Sequence, residues 1–184
     1  MKAQLAEHTT SLADMVKCLS DFLAEHPCKA GAWLQGRGWN QDYFTDTNRM
    51  PNRYALDKVS TETPICAVRA CGHCLVVNSK ALEILGVTAD TPQPEGGEIG
   101  IENGEPDGRF FDNAMDAVYQ IIPVPDKDEI KDMLRIACKA LNSYGVTSSQ
   151  TDDYCVYRSV PWQTVNDDYK ELEASGELTV RVYE

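Results

Sequence analysis

The C-terminal third of this chain reads helix, strand, helix, strand, and that order constrains the fold more than any other feature. From Asp126 to Tyr144 the residues Ile130, Met133, Leu134, Ala137, Cys138, Leu141 and Tyr144 recur at helical spacing and line one face. The acidic start suits the positive end of a helix dipole, and Gly145 ends the run. Val146 to Ser149 reads as a strand. Gln163 to Ser175 reads as a second helix with Val165, Tyr169 and Leu172 inward, stopped by Gly176, and Leu178 to Tyr183 as a last strand. Two strands joined through a helix pair in parallel by a right-handed crossover. Parallel strands need cover on both faces, and an unpaired edge invites association. One such unit alone is therefore expected to lack neighbours that further chain or a partner supplies.

At 184 residues the chain suits one ordinary domain. A complete (β/α)8 barrel typically needs roughly 250 residues. The N-terminal part is more varied. Leu12, Met15, Val16, Leu19, Phe22 and Leu23 predict a helix over Ser11 to Glu25, with Ser11 as N-cap and Pro27 as stop. Ala32 to Leu34 predicts a strand running into a turn at Gly36 and Gly38. Asn40 to Thr63 reads as loop with one helical turn at Arg53 to Lys58. Ile65 to Ala70 is a strand, and Ser79 to Leu85 a helix ended by Gly86. Thr88 to Gly108, dense in Gly and Pro, reads as a long irregular excursion or lid. These readings divide the chain at residues 1–122 and 123–184.

Composition sets the partners. Lys plus Arg number 17 and Asp plus Glu 29, a net charge of −12. Such a surface repels phosphate backbones, so no nucleic-acid partner is expected. No apolar run approaches the roughly 20 residues of a membrane helix, and Met1 to Thr10 carry no signal-like core. A cytoplasmic protein without a membrane partner is expected. The seven cysteines, Cys18, Cys28, Cys66, Cys71, Cys74, Cys138 and Cys155, are an odd number and fit reduced thiols rather than a disulfide framework. Cys71-Gly72-His73-Cys74 has the spacing of a zinc or thiol-exchange motif. No second ligand pair accompanies it. The apolar residues on both sides predict strand–turn–strand rather than the helix of a redox CxxC, so two thiols near a turn are the simpler reading.

Several segments together resemble one family. They are Trp33-Leu34-Gln35-Gly36-Arg37-Gly38-Trp39, Gly72-His73, Val77-Asn78-Ser79-Lys80-Ala81-Leu82, Thr91-Pro92, Gly96-Gly97-Glu98-Ile99, Gly104-Glu105-Pro106-Asp107-Gly108 and Asp112 to Asp116. Leu141 to Ser148 and Gly176 to Tyr183 close the series. In order and spacing they resemble the metal-dependent amidohydrolase superfamily, in the branch of N-substituted formamide deformylase, some relatives of which are labelled exoenzyme regulatory protein. The resemblance implies an α/β fold, part of a TIM-type (β/α)8 barrel. Val146–Ser149 and Leu178–Tyr183 would be about its second and third strands, and 33–122 the long excursion between strands one and two. It implies hydrolysis of amide or formamide-type C–N bonds by water activated on a zinc-type divalent metal. The family's ligands are an HxH on strand one, a bridging lysine or acid near strand four, histidines on five and six, and an aspartate on eight. This sequence has only His8, His26 and His73 and no HxH. On this resemblance every metal ligand lies outside the chain, which alone is expected to bind no catalytic metal and to hydrolyse no amide.

Four residues are the substrate-binding candidates: Trp39, His73, Asn78 and Gln150. Trp39, with Trp33, could line an apolar pocket or anchor a core. His73 could orient substrate or donate to an oxyanion, or be a hydrogen-bonded turn histidine. Asn78 could bind substrate or cap the helix at Ser79. Gln150 stands at the carboxyl end of a barrel strand, where relatives often carry histidine and where barrel enzymes keep their sites. Asp112 and Asp116 would share a face if their segment were helical, as an acid–base pair or a solvated surface. The glycines from Gly96 to Gly108 form no phosphate loop. The leading expectation is the early-barrel portion of an amidohydrolase acting on a small amide, with open strand edges through which it could form a homo-oligomer. The alternatives are a non-catalytic regulatory or interaction module on the same fold, and a redox protein using Cys71 and Cys74.

Overall fold

The computed structural model describes residues 2–152 and 160–183. Cys155 lies outside them. The chain divides into two compact units, residues 1–123 and 124–184.

The first unit is built on a six-stranded mixed sheet. In chain order its elements are β1 (Ala3–Gln4), α1 (Leu12–Glu25), β2 (Leu34–Trp39), a 3-10 turn (Gln41–Tyr43), α2 (Arg53–Asp57), β3 (Ile65–Arg69), β4 (Cys74–Val77), α3 (Ser79–Leu85), β5 (Gly97–Glu102), β6 (Glu105–Asp112) and α4 (Met115–Tyr119). The spatial order is β1-β2-β3-β4-β6-β5. β1, β2 and β3 run parallel, and the remaining pairs are antiparallel.

Alternation along β3 and β4 creates two cores. Ile65, Ala67, Cys74 and Val76 join a cluster with Met15 and Leu19 of α1, Leu34 and Trp39 of β2, and Leu56 of α2. Cys66, Leu75 and Val77 join another with Ala81 and Leu82 of α3, Phe110 of β6, and Met115 and Val118 of α4. Successive side chains point to opposite faces, so a strand dry on both sides must be apolar throughout. Helix α1 is capped by Ser11, whose hydroxyl accepts from Asp14 N–H at 2.9 Å. Asp46 adds a second anchor, accepting from the N–H groups of Leu12 at 2.8 Å and Ala13 at 3.1 Å.

Two expectations for this unit are corrected. Gly36 and Gly38 do not turn the chain; β2 runs through both. They are glycine because neighbours press on the strand. A Cβ on Gly36 would lie 2.9 Å from Leu5 Cδ1, and one on Gly38, at φ +110°, 2.8 Å from the Ala6 nitrogen. Thr88 to Gly108 is not irregular throughout, because Gly97 to Asp112 is the β5–β6 hairpin. Its loop is Asn103-Gly104, with φ of +53° and +80° and Glu102 paired to Glu105. Positive φ at both positions is what a type I′ turn demands, and Asn-Gly supplies it cheaply.

The second unit contains α5 (Lys127–Ser143), β7 (Ser148–Gln150), α6 (Trp162–Ala174) and β8 (Arg181–Tyr183). A capping box opens α5: Asp126 accepts from Glu129 N–H at 2.9 Å, and Glu129 from Asp126 N–H at 3.1 Å. Ile130 and Leu134 pack on Leu172, flanked by Met133, Tyr169 and Leu178. β7 and β8 pair in parallel, Ser148 with Arg181 and Gln150 with Tyr183. The strand-helix-strand expectation stands, with both strands shorter than read. Ala137 and Tyr144 do not face inward. Tyr144 caps α5 and is 87% exposed.

The buried face of α6 also carries Asp168, unexpected from periodicity. Both its carboxylate oxygens are buried without a hydrogen-bond partner, and Lys127 Nζ stands 3.9 Å away. Burial raises the Asp168 carboxyl above its ordinary range, against the pull of Lys127 and Lys131 from α5; Glu171 and Asp167 on α6 add to the rise.

Two tests follow from this packing. At Gly108, φ is +91° and a Cβ would lie 2.3 Å from the Val77 carbonyl oxygen. Gly108→Ala is expected to destabilise the first unit by about 3 kcal/mol or more in urea unfolding. For Asp168, a folded pKa above the unfolded one contributes stability at low pH that is lost as pH rises through the folded value. Asp168→Asn is therefore expected to slow amide hydrogen exchange in α6 at neutral pH and to leave it unchanged in acid.

Candidate functional site

In the first unit the carboxyl ends of β2 and β3, the start of β4 and the end of β6 bring chemically capable side chains to one edge of the sheet. β2 ends at Trp39, and Asn40, Gln41 and Asp42 follow in the 3-10 turn. β3 ends at Arg69, whose side chain is only 17% exposed. Its Nε donates to Gln41 Oε1 at 2.8 Å, and its terminal nitrogen to Asn40 Oδ1 and Asp42 Oδ2, both at 2.9 Å. One planar guanidinium thus pins the turn after β2 to the end of β3.

The same guanidinium acts on the Cys71 thiol in the turn between β3 and β4. The Cys71 sulfur also accepts from His73 N–H at 3.4 Å. Partial burial pushes this thiol up, but Arg69 and the His73 N–H outweigh it and hold it below the ordinary thiol value. Cys74, three residues on, is driven the other way, to about 12, by burial and by the charge of Cys71. The turn is strand–turn–strand, with Gly72 N–H donating to Arg69 O at 3.0 Å.

His73 reaches across to β6. Its Nδ1 lies 3.0 Å from Asp112 Oδ1, and Asp112 N–H donates to the His73 carbonyl at 3.1 Å. Asp112 holds φ +46°, a left-handed conformation that Asp tolerates better than most residues. The carboxylate fixes one imidazole edge of a side chain that is 78% exposed. The pair can present a hydrogen-bond donor or acceptor to a ligand at the sheet edge.

The other candidates are spread through the fold. Trp39 is fully buried in the first core, its Nε1 donating to Ala67 O at 2.9 Å. Asn78 is also fully buried and spends all its hydrogen-bonding capacity on backbone. Its Oδ1 accepts from Ile65 and Ala81 N–H, both at 3.0 Å, and its Nδ2 donates to Ser60 O at 2.8 Å and Thr63 O at 2.9 Å. Trp33 is buried in the second core. Asp112 ends a strand and Asp116 lies in α4, so they share no helix face. In the second unit, Gln150 is exposed at the carboxyl end of β7. An open groove of about 670 Å³ runs there between α6 and β8, lined by Asn166, Tyr169, Lys170, Glu173, Thr179 and Arg181 among others.

Sequence reasoning missed Arg69 and its three acceptors. A lone arginine closing an apolar strand, two residues before a cysteine, was the available signal.

A divalent metal does not fit the side chains present. Among the described residues no three or more His, Cys, Asp or Glu side chains converge on one point. The three histidines are apart: His8 pairs with Asp14 at 3.2 Å, His26 packs its ring on Phe22 at 4.7 Å, and His73 pairs with Asp112.

The first unit is a mixed sheet with polar side chains gathered at one edge, and the second is a parallel strand-helix-strand unit; both are of the α/β class. Residues 2–183 match the amidohydrolase family, and the chain belongs to it. A Bacillus subtilis protein named as an amidohydrolase, YtcJ, is 32% identical over 82% of this chain and 28% of its own length. Protein LONG AFTER FAR-RED 3 of Arabidopsis thaliana is 31% identical over 83% of this chain and 27% of its own. N-substituted formamide deformylase of Arthrobacter pascens is 33% identical over 48% of this chain and 16% of its own. A crystal structure of a metal-dependent hydrolase from Pyrococcus horikoshii superposes on 99% of this chain with a TM-score of 0.60, at 19% identity and over 32% of its own length. The chain thus spans under a third of these proteins, and no helix is long and apolar enough to cross a membrane among the described residues.

Asn78 gives the test of this geometry. Asn78→Ala strands two buried N–H groups and two carbonyls, and is expected to cost about 3 kcal/mol in urea unfolding. A substrate-binding role without a structural one would leave the unfolding midpoint in place.

Proposed function

We propose that this chain is the early-barrel and excursion portion of a metal-dependent amidohydrolase that cleaves amide or formamide-type C–N bonds, with its metal ligands on residues outside these 184. The observation that carries the reading is the β7–α6–β8 unit. Its strands are parallel, yet Ser148, Gln150, Arg181 and Tyr183 are exposed. Parallel sheets are covered on both faces in finished folds, so a pair this open suits two neighbouring strands of a larger barrel. The family match over 2–183 and the 27–28% span of its relatives agree with that reading.

In the assembled enzyme the metal supplies an activated water and a polarised carbonyl. This chain's part is binding and orientation. Gln150, at a strand's carboxyl end, offers an amide that can both donate to and accept from an amide substrate. His73, braced by Asp112, offers one free imidazole edge. The substrate is a small amide, and the acidic surface argues for neither nucleic acid nor a membrane as partner.

Metal analysis and an amidase assay test the proposal. The 184-residue chain is expected to hold no stoichiometric zinc and to release no amine or carboxylate from formamide-type substrates. The whole protein is expected to do both and to lose activity on chelation. Gln150→Ala in the whole protein is expected to raise KM or lower kcat about tenfold without moving thermal stability. Stoichiometric zinc in the 184-residue chain, lost together with amidase activity on chelation, would overturn the reading.

A further inference from the structure

The turn between β3 and β4 carries two cysteines that hydrolysis leaves unused. Cys71 is exposed at the tip, and Cys74 is buried at the start of β4. The turn folds back tightly: Val68 pairs with Leu75, and Gly72 N–H bonds Arg69 O. Cys71 and Cys74 are the first and last residues of the four-residue Cys71-Gly72-His73-Cys74 stretch that this turn folds back.

Donors already converge on the Cys71 sulfur. His73 N–H points at it at 3.4 Å, and the Arg69 side chain, two residues before Cys71, is fixed by Asn40, Gln41 and Asp42. A thiolate there needs little reorganisation. The other described cysteines lack this setting. Cys66 and Cys138 are buried, and burial raises the thiols of Cys18 and Cys28. Among the described residues, exposed sulfur with a backbone donor aimed at it is found at Cys71, and a second thiol, buried, follows three residues on.

We propose that Cys71 and Cys74 form a redox-active dithiol that exchanges with low-molecular-weight disulfides, Cys71 attacking first and Cys74 closing an internal disulfide. In the first step the Cys71 thiolate attacks one sulfur of R–S–S–R. The R–S–S–R bond breaks, RS⁻ leaves and takes a proton from water, and Cys71 holds a mixed disulfide. In the second step Cys74 loses its proton to solvent and attacks the Cys71 sulfur, expelling the second RS⁻, which is protonated. Two protein thiols become one disulfide, and one R–S–S–R becomes two RSH. Once Cys71 is capped it carries no charge, so the smaller of the two effects holding Cys74 protonated is gone, while burial, the larger, remains. Cys74 must still leave the apolar cluster around Trp39 and Phe44, which makes the second step the slower.

The reduced 184-residue chain, treated with glutathione disulfide, acid-quenched, alkylated and peptide-mapped, tests this. The first adduct is expected at Cys71, about tenfold or more faster than at any other cysteine. It is then expected to convert to a species lighter than the reduced chain by two hydrogens and linked between Cys71 and Cys74. Cys74→Ser is expected to stop at a stable Cys71 adduct. The pH midpoint of Cys71 alkylation is expected to lie below that of the same chain unfolded in urea, which reads the folded setting of the turn without any substitution in it. A first adduct on another cysteine, equal midpoints folded and unfolded, or a wild-type mixed disulfide that never closes would each overturn the proposal. No readout uses metal or amidase activity, so the result is independent of the hydrolase reading.

Discussion

The β3–β4 hairpin is the wall between two cores, and the first unit depends on both its faces staying dry. Ile65, Ala67, Cys74 and Val76 meet α1 and β2, whereas Cys66, Leu75 and Val77 meet α3, α4 and β6. A wall of this kind cannot alternate apolar with polar. It also cannot leave backbone groups unpaired where the ladder stops, because an orphaned buried N–H costs as much as a lost hydrogen bond. Asn78 solves that problem at the end of β4: it caps α3 and also satisfies Ile65 N–H and two carbonyls of the chain leading into β3. One side chain therefore ties the start of β3, the end of β4 and the first turn of α3 together.

The second unit obeys a weaker version of the same constraint. Its apolar cluster is small, with Ile130, Leu134 and Leu172 at its centre. Lys127 and Lys131 share Glu171, and Arg135 reaches Glu177. These pairs are largely solvent-exposed and worth little each. Asp168, buried among them without a hydrogen-bond partner, works against stability at neutral pH. Two short parallel strands with exposed faces add few apolar contacts. The unit is folded mainly by helix-on-helix packing, and its sheet is the unfinished part.

What could be read from the sequence was local. Ser11, the acidic start of α5, Gly86 and the apolar spacing of α1 and α5 placed those helices within a residue or two, since caps and periodicity act over one turn. Glycine was misread where its cause was distant. Gly36 and Gly38 looked like a turn because the pressure from Leu5 and Ala6 comes from another strand's flank. Asn103-Gly104 is a strong hairpin signal, but the surrounding glycines and prolines hid the strands beside it. Tyr144 continued the helical spacing one residue past the point where the helix ends. The site was less legible still. His73 and Asp112 are 39 residues apart, and Arg69 is 27 to 29 from its three acceptors. Only strand pairing brings them together, and pairing order is not written in spacing.

Charge explains why that sheet edge is chemically distinct. With 17 cationic residues against 29 acidic ones, carboxylates are plentiful, and several described cations pair with them. Arg109 is spent on the buried Asp107, donating to it from both its backbone N–H and its Nε at 2.9 Å. Lys17, Lys80 and the α5 cations pair within or between helices. Arg69 differs because two of its three oxygen acceptors, on Asn40 and Gln41, are neutral amides. Only Asp42 sets a carboxylate against it, and the Cys71 sulfur lies two residues along the chain. An acidic protein thus holds one guanidinium in place at this turn through two amides and a single carboxylate, where an anion that forms only on reaction finds a donor already oriented.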